Sequence, residues 1–416
     1  MKEDFSFMNE KIKDKPFYKK RWVKVAGATI VLALLFGGIS GLVFAKIHNW
    51  MENKLTQEAM TDIEIPKDVE EDSGIAQSQQ LNVAPETIVL ETQLTPDDYS
   101  ILYAGLRSIV TEAKKSLVTV TAVNNGVDWF NEEYENRGQS TGMIIGDNGV
   151  ELLVLTEYEM VASCDGINVS FVDETSAGAV LKKYDIITNL AVISVNLSDI
   201  SEQTKAKIVK ATLGNTTRIE AGTPVLAIGR ADGSENSMKV GMLTSVQSAQ
   251  SVVDAEYKIL VTDMLKNNSA KGVLVNLRGE VVGILQEEHT AVNMQNVLTA
   301  YGISDIKGLL EHLSNNQDIV YLGVKGLTVT TEALRSGVPA GVYVMEVEMD
   351  SPAMLGGIQN GDVIQAINGQ QITTMQEFSG VLSRMSNRQS ITLEGQRFTK
   401  DGYKKTNYQT SLSVLE

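Results

Sequence analysis

The sequence predicts a chain dominated by β-structure behind a single N-terminal membrane helix. Two observations carry this expectation. Val25–Ala45, "VAGATIVLALLFGGISGLVFA", runs 21 residues without a charge. From Tyr99 onward, short β-branched and apolar runs alternate with Gly, Asn and Asp turns, as in a barrel or sandwich rather than in alternating strand and helix. A length of 416 residues suits two or three domains.

At about 1.5 Å per residue the uncharged run spans the roughly 30 Å hydrocarbon core of a bilayer. The preceding "KIKDKPFYKKRWVK" is basic and the following segment acidic. The excess of Lys and Arg puts residues 1–24 in the cytoplasm and everything after Lys46 outside. Trp22 and Trp50 bracket the span as interfacial anchors. A cleaved signal peptide is the alternative, but its apolar region is shorter and no A-x-A-like site follows here. The expected location is the cell membrane, single-pass, with the main domains extracytoplasmic.

Residues 47–100 hold twelve Asp and Glu against two Lys, and no aromatic side chain lies between Trp50 and Tyr99. Such a stretch buries too little apolar surface to offset chain entropy, so residues 46–98 are expected as an acidic, disordered linker. The formal charge of −16 argues against a nucleic-acid partner, which needs basic clusters. The one cysteine, Cys164, excludes an intrachain disulfide. No H-E-x-x-H, cysteine pair or spaced histidine cluster is present, so neither metal nor cofactor is expected.

Between residues 99 and 313, "SILYAGLRSIVTEAKKS" reads as a helix. "SLVTVTAV", "TGMIIGDNGVELLVL", "LAVISV" and "TPVLAIG" read as strands. "VLVNLRGEVVGIL" reads as a hairpin turned at Gly279. Four stretches in order, "STGMIIGDNGVELLVLTEYEMV", "DIITNLAVISV", "ATLGNTTRIEAGTPVLAIG" and "LVNLRGEVVGI", resemble the protease domain of the HtrA family. The resemblance implies a trypsin-like double β-barrel. Over residues 318–416, "YLGVKGL", "GVYVMEVEMDSPAMLGGIQNGDVIQAING" and "TMQEFSGVLSRM" resemble the family's PDZ domain.

Serine acyl transfer needs an imidazole to take the hydroxyl proton, a carboxylate to orient it, and N–H groups to hold the oxyanion. The family's "LTNNHVV", "TDLAVLKV" and "GNSGGPLVN" align with "LTEYEMV", "TNLAVISV" and "NSAKGVLVN" here. The resemblance therefore places Glu159, Asn189 and Ala270 at the histidine, aspartate and serine positions. A carboxylate with an ordinary pKa of about 4 is a poor base at neutral pH, and alanine has no nucleophile. Asn268 and Lys271 stand where the family has glycines, removing backbone freedom at the oxyanion turn. Loss of a triad serine or histidine costs about a millionfold in turnover. None of the three histidines, His48, His289 and His312, lies in a motif. The alternative is a weak serine endopeptidase using Ser269 with Lys266 or Lys271 as base.

In the PDZ stretch, Thr374 and Glu377 form a capping-box pattern, and Phe378, Leu382 and Met385 recur at helical spacing. By resemblance, a target C-terminus adds as a strand after "YLGV" while loop N–H groups hold its carboxylate. Tyr321, Leu322, Gly323 and Val324 are the expected binding residues, with Ser379 and Ser383 bordering the groove. The apolar run, the resemblance and its three departures together lead to the expectation of a membrane-anchored, proteolytically inactive HtrA-like protein that binds polypeptides or their C-termini in cell-envelope quality control. The resemblance also implies a homotrimer, or assembly with active relatives.

Overall fold

The runs at residues 152–155, 190–193 and 225–228 are apolar at consecutive positions because both faces of these strands are covered. In the computed structural model, which describes residues 61–68, 95–127, 133–286 and 296–414, two closed antiparallel barrels lie side by side. The first contains β1 (Leu117–Val127), β2 (Glu133–Asp147), β3 (Glu151–Glu157), β4 (Gly166–Ser170), β5 (Ser176–Asp185) and β6 (Leu190–Asn196), in the order β1-β2-β3-β6-β5-β4. The second contains β7 (Pro224–Arg230), β8 (Ser237–Val252), β9 (Ala255–Leu265), β10 (Lys271–Val275), β11 (Val281–Gln286) and β12 (Val297–Gly302), in the order β10-β11-β12-β9-β8-β7.

Alternation along each strand divides its residues between two cores. On β3, Leu152 and Val154 fill the first barrel, while Leu153 and Leu155 face the second. On β7, Val225 and Ala227 fill the second barrel, and Leu226 and Ile228 face back. The shared layer also takes Leu106 and Val110 of α1 (Pro96–Ala113) and Ile303, Ile306 and Leu310 of α2 (Ile303–Ser314). The hairpin from β10 to β11 turns through Gly279 at φ +78°.

The acidic linker expectation fails at both of its described parts. Ile65 is buried in the interbarrel layer. The Ile63 N–H donates to Asn315 Oδ1 at 2.8 Å, and Asn315 Nδ2 returns a bond to the Ile63 carbonyl at 3.0 Å. Asp68 pairs with Lys307 at 2.7 Å. A segment with few apolar residues cannot fold alone, but Ile65 needs only a gap in an existing core. Helix α1 also begins earlier than expected, with Thr95 and Asp98 forming a reciprocal capping box.

The last unit is a sheet ordered β14 (Val324–Thr328), β15 (Val342–Val347), β16 (Val363–Ile367), β18 (Ser390–Thr399), β19 (Gly402–Ser411), with β17 (Gln370–Gln371) pairing with β16. β13 (Val320–Tyr321) pairs with the final strand, β20 (Ser413–Val414). Helix α3 (Met375–Leu382) starts with the Thr374–Glu377 capping box and buries Met375, Phe378 and Leu382 in this domain's core. Among the described residues no helix is long and apolar enough to cross a membrane; Val25–Ala45 lies outside them.

Gly272 sits where β10 meets β7. Its φ is +132°, and a Cβ there would lie 2.1 Å from the Ile228 carbonyl oxygen. Gly272→Ala is expected to destabilise the second barrel by about 3 kcal/mol, read as a lower urea midpoint.

Candidate functional site

The interbarrel layer opens on one side into a cleft of about 560 Å³. Glu157, Glu159, Asn189, Gln250, Gly272 and Tyr301 are among the residues that line it. Glu159 lies on the single helical turn Tyr158–Val161 that follows β3. Its N–H donates to Asn189 Oδ1 at 2.8 Å, and the Tyr158 N–H donates to the Asn189 carbonyl at 3.0 Å. Asn189 holds φ +56°, a left-handed conformation that Asn tolerates better than most residues. The Tyr158 ring stacks on Tyr184 with centroids 4.1 Å apart, bracing the turn.

Ala270 does not join this pair. Its methyl is 3% exposed and packs in the second barrel's interior with Val225, Ala227 and Leu274. The Ala270 N–H donates to the Asn267 carbonyl at 2.9 Å. The Asn267 side chain is anchored in turn: Nδ2 reaches the Asp232 carbonyl at 2.6 Å, and Oδ1 accepts from the Ser269 N–H at 3.2 Å. Neither Asn268 nor Lys271 adopts a positive φ. Ser269 is exposed and is not among the residues lining the cleft.

Lys271 instead reaches across the barrels to Glu157 in a close ion pair, with side chains 15% and 18% exposed. Sequence reasoning named Lys271 as a fallback base but missed its carboxylate partner, which lies 114 positions away. Among the described residues no histidine lines this cleft. His312 lies on α2, where burial pushes its pKa down, and His48 and His289 fall outside the described residues. Among the described residues no group of His, Cys, Asp and Glu is placed to hold a metal ion.

The second candidate site is the "YLGV" loop. Its N–H groups converge on one carboxylate, that of Asp254 in the β8–β9 turn. Leu322 N–H donates to Oδ2 at 2.7 Å, Val324 N–H to Oδ1 at 2.9 Å, and Gly323 N–H to both oxygens at 3.1 and 2.9 Å. Gly323 is at φ +95°, and a Cβ there would lie 2.2 Å from that of Ser351. Tyr321, Ser379 and Ser383 line an adjoining cavity of about 1750 Å³ together with Asp254, Glu256 and His312. Asp254 was not legible from sequence: its only signal is an Asp between two β-runs, which reads as an ordinary turn residue.

Burial raises the Asp254 carboxyl from 3.8 to about 6, opposed by the three N–H groups and reinforced by nearby Glu348. Lys325 is held by Glu346 and Glu348, and Tyr321 borders the same loop, its own pKa raised chiefly by burial.

The architecture is that of a trypsin-like double barrel carrying a PDZ domain. A trypsin-like peptidase domain model matches residues 140–284 and a PDZ domain model residues 343–397. The chain is 26% identical over 275 residues to the serine protease HTRA1A of Danio rerio, covering 61% of this chain and 54% of that protein. It is 25% identical over 305 residues to the serine protease Do-like HtrA of Bacillus subtilis, covering 69% of this chain and 65% of that protein. It therefore spans less than two thirds of either relative. The solved structure of the HtrA-type protease AlgW with a decapeptide shares the fold with a TM-score of 0.54, at 21% identity, over 76% of this chain and 99% of that one. This chain accordingly carries a trypsin-like peptidase domain and a PDZ domain, and is similar in sequence to HtrA-type serine proteases.

Two outcomes follow. Lys271→Met removes the cation beside a mostly buried Glu157 and is expected to cost about 2 kcal/mol at pH 7, read by chemical denaturation. The second concerns pH. A carboxyl with a raised pKa in the docked state favours docking at low pH, and the contribution is lost as pH rises through about 6. Protection of the Leu322–Val324 amides, corrected for intrinsic exchange, should fall about tenfold from pH 5 to 7.5. Glu256 and Asp305, raised by burial, act in the same direction, and His312, lowered, in the opposite one. Asp254→Asn should remove the Asp254 share of the dependence.

Proposed function

We propose that this chain is a membrane-anchored HtrA-like protein that does not hydrolyse peptide bonds and binds polypeptides or their C-termini through its PDZ domain. One observation supports the loss of hydrolysis most strongly. The residue at the family's serine position, Ala270, points its methyl into the barrel core and spends its N–H on the Asn267 carbonyl. An oxyanion needs such N–H groups free and aimed at the place where its negative oxygen forms. Glu159 and Asn189, at the histidine and aspartate positions, are tied to each other through a backbone bond.

The fallback chemistry has little support from the geometry. Ser269 is exposed outside the cleft, and Lys271 is committed to Glu157. A cationic amine held by a carboxylate is a poor acceptor of the serine proton.

Peptide binding draws support from the converging N–H groups of Leu322, Gly323 and Val324, which suit a carboxylate. The related AlgW structures contain bound peptides. The reading includes an anchor at Val25–Ala45, domains outside the membrane, and a trimer or an assembly with active relatives in envelope quality control.

The test is fluorophosphonate labelling of the full chain in detergent, with Ser269→Ala alongside. No labelling above the Ser269→Ala background is expected. A labelled band that vanishes in that variant would establish a working nucleophile and end the inactive reading.

A further inference from the structure

Strands β8 and β9 run directly into each other, with Val252 paired to Ala255 and only Val253 and Asp254 in the turn. Asp254 takes φ +58°, the left-handed conformation such a tight turn needs. This hairpin extends from the second barrel onto the PDZ domain. β9 packs on α3, and both β8 and β9 pack on β14. The groove between β14 and α3 is where an added strand would lie.

The turn supplies several contacts of such a strand, two from its main chain and two from its side chains. Val253 bridges Lys325 in antiparallel sense. The Asp254 N–H donates to the Val324 carbonyl at 2.7 Å. The Ser251 hydroxyl donates to the Gly326 carbonyl at 2.7 Å. At the end of the run a carboxylate accepts from three consecutive N–H groups. That carboxylate belongs to a side chain, because the main chain continues into β9.

We propose that the Val253–Asp254 turn is an internal ligand of the PDZ groove, with the Asp254 side-chain carboxylate standing where the C-terminal carboxylate of an outside peptide would bind. The proposal rests on the peptide-binding reading of this loop. Its consequence is competition: a polypeptide C-terminus enters only when the hairpin leaves.

An ordinary interdomain strut does not need this arrangement. Asp254 is 9% exposed and lies near Glu348, and none of the ion pairs described involves it. Its bonds go to backbone N–H groups that an unrelated chain's terminus could use equally well. Tethering gives the hairpin a high effective concentration, on the order of millimolar. The apparent affinity for an outside peptide falls by the fraction of molecules with the groove open. The ligand class is a free C-terminal carboxylate preceded by small or β-branched residues, as in the Ser251–Val253 run.

The test uses the full chain, Asp254→Asn and Asp254→Gly. Both replacements tolerate φ +58°, so the turn is kept while the carboxylate is lost. Two readouts are taken: hydrogen exchange of the Leu322–Val324 amides, and anisotropy of fluorescein-labelled Ala-Gln-Ser-Val-Val-Val with a free C-terminus. The probe copies residues 249–253 and ends in Val at the place of Asp254. Its C-terminal amide is the control.

Both variants should exchange at Leu322–Val324 at least about tenfold faster, with β16 amides unchanged, and bind the acid probe about tenfold more tightly than the native chain. The amide probe should not bind. Unchanged exchange at Leu322–Val324 overturns the proposal, as does measurable probe binding that is equally tight in native chain and variants. Loss of protection across β16 and β18 also overturns it, because Asp254 is then a strut for the whole domain. If both variants open the loop selectively yet neither binds the probe, the internal ligand stands and the peptide-binding reading fails.

Discussion

The apolar layer between the two barrels is the constraint on which the remaining structure depends. Leu153 and Leu155 on one side meet Leu226 and Ile228 on the other, and α2 and Ile65 complete the layer. Each barrel is closed, so it has no free edge and can meet its neighbour only through side chains. Strands in this position must be apolar on both faces. The cleft lies where the layer opens, and the polar residues at its rim come from the strand ends and turns that the layer holds in place.

Within the cleft, backbone geometry and side-chain chemistry have different fates. The bond between the Glu159 N–H and Asn189 Oδ1 joins two loops of the first barrel. It needs an acceptor oxygen at position 189 and nothing from the side chain at 159. On the second barrel, a chain of bonds from Asp232 through Asn267 to Ala270 sets the loop before β10. Lys271 and Glu157 then tie the barrels across the cleft. An ion pair that is largely withdrawn from water contributes orientation more dependably than net stability.

The PDZ loop is governed by a different requirement. Three consecutive N–H groups pointing inward must be satisfied, since buried donors left unpaired cost about 1–3 kcal/mol each. Asp254 meets that need from the second barrel. One carboxylate therefore couples a barrel hairpin to the loop between β13 and β14, and the positions of the two domains depend on the same atoms that a ligand would require.

Much of the architecture was legible in the sequence by itself. Strand runs, the Gly279 hairpin and the capping box at Thr374 are local patterns, set by residues a few positions apart. So was the absence of histidine from the three motifs. Ile65, Asp254 and the Glu157–Lys271 pair were not legible, because each takes its meaning from a partner far along the chain. Ile65 reads as one apolar residue in an acidic run until α2 and the interbarrel layer receive it. Asp254 reads as a turn residue until the loop 70 positions later folds against it. Ala270 shows the division most plainly: its small apolar side chain is read directly from the chain, while only tertiary packing decided that its methyl faces the barrel interior, where apolar surface is withdrawn from water.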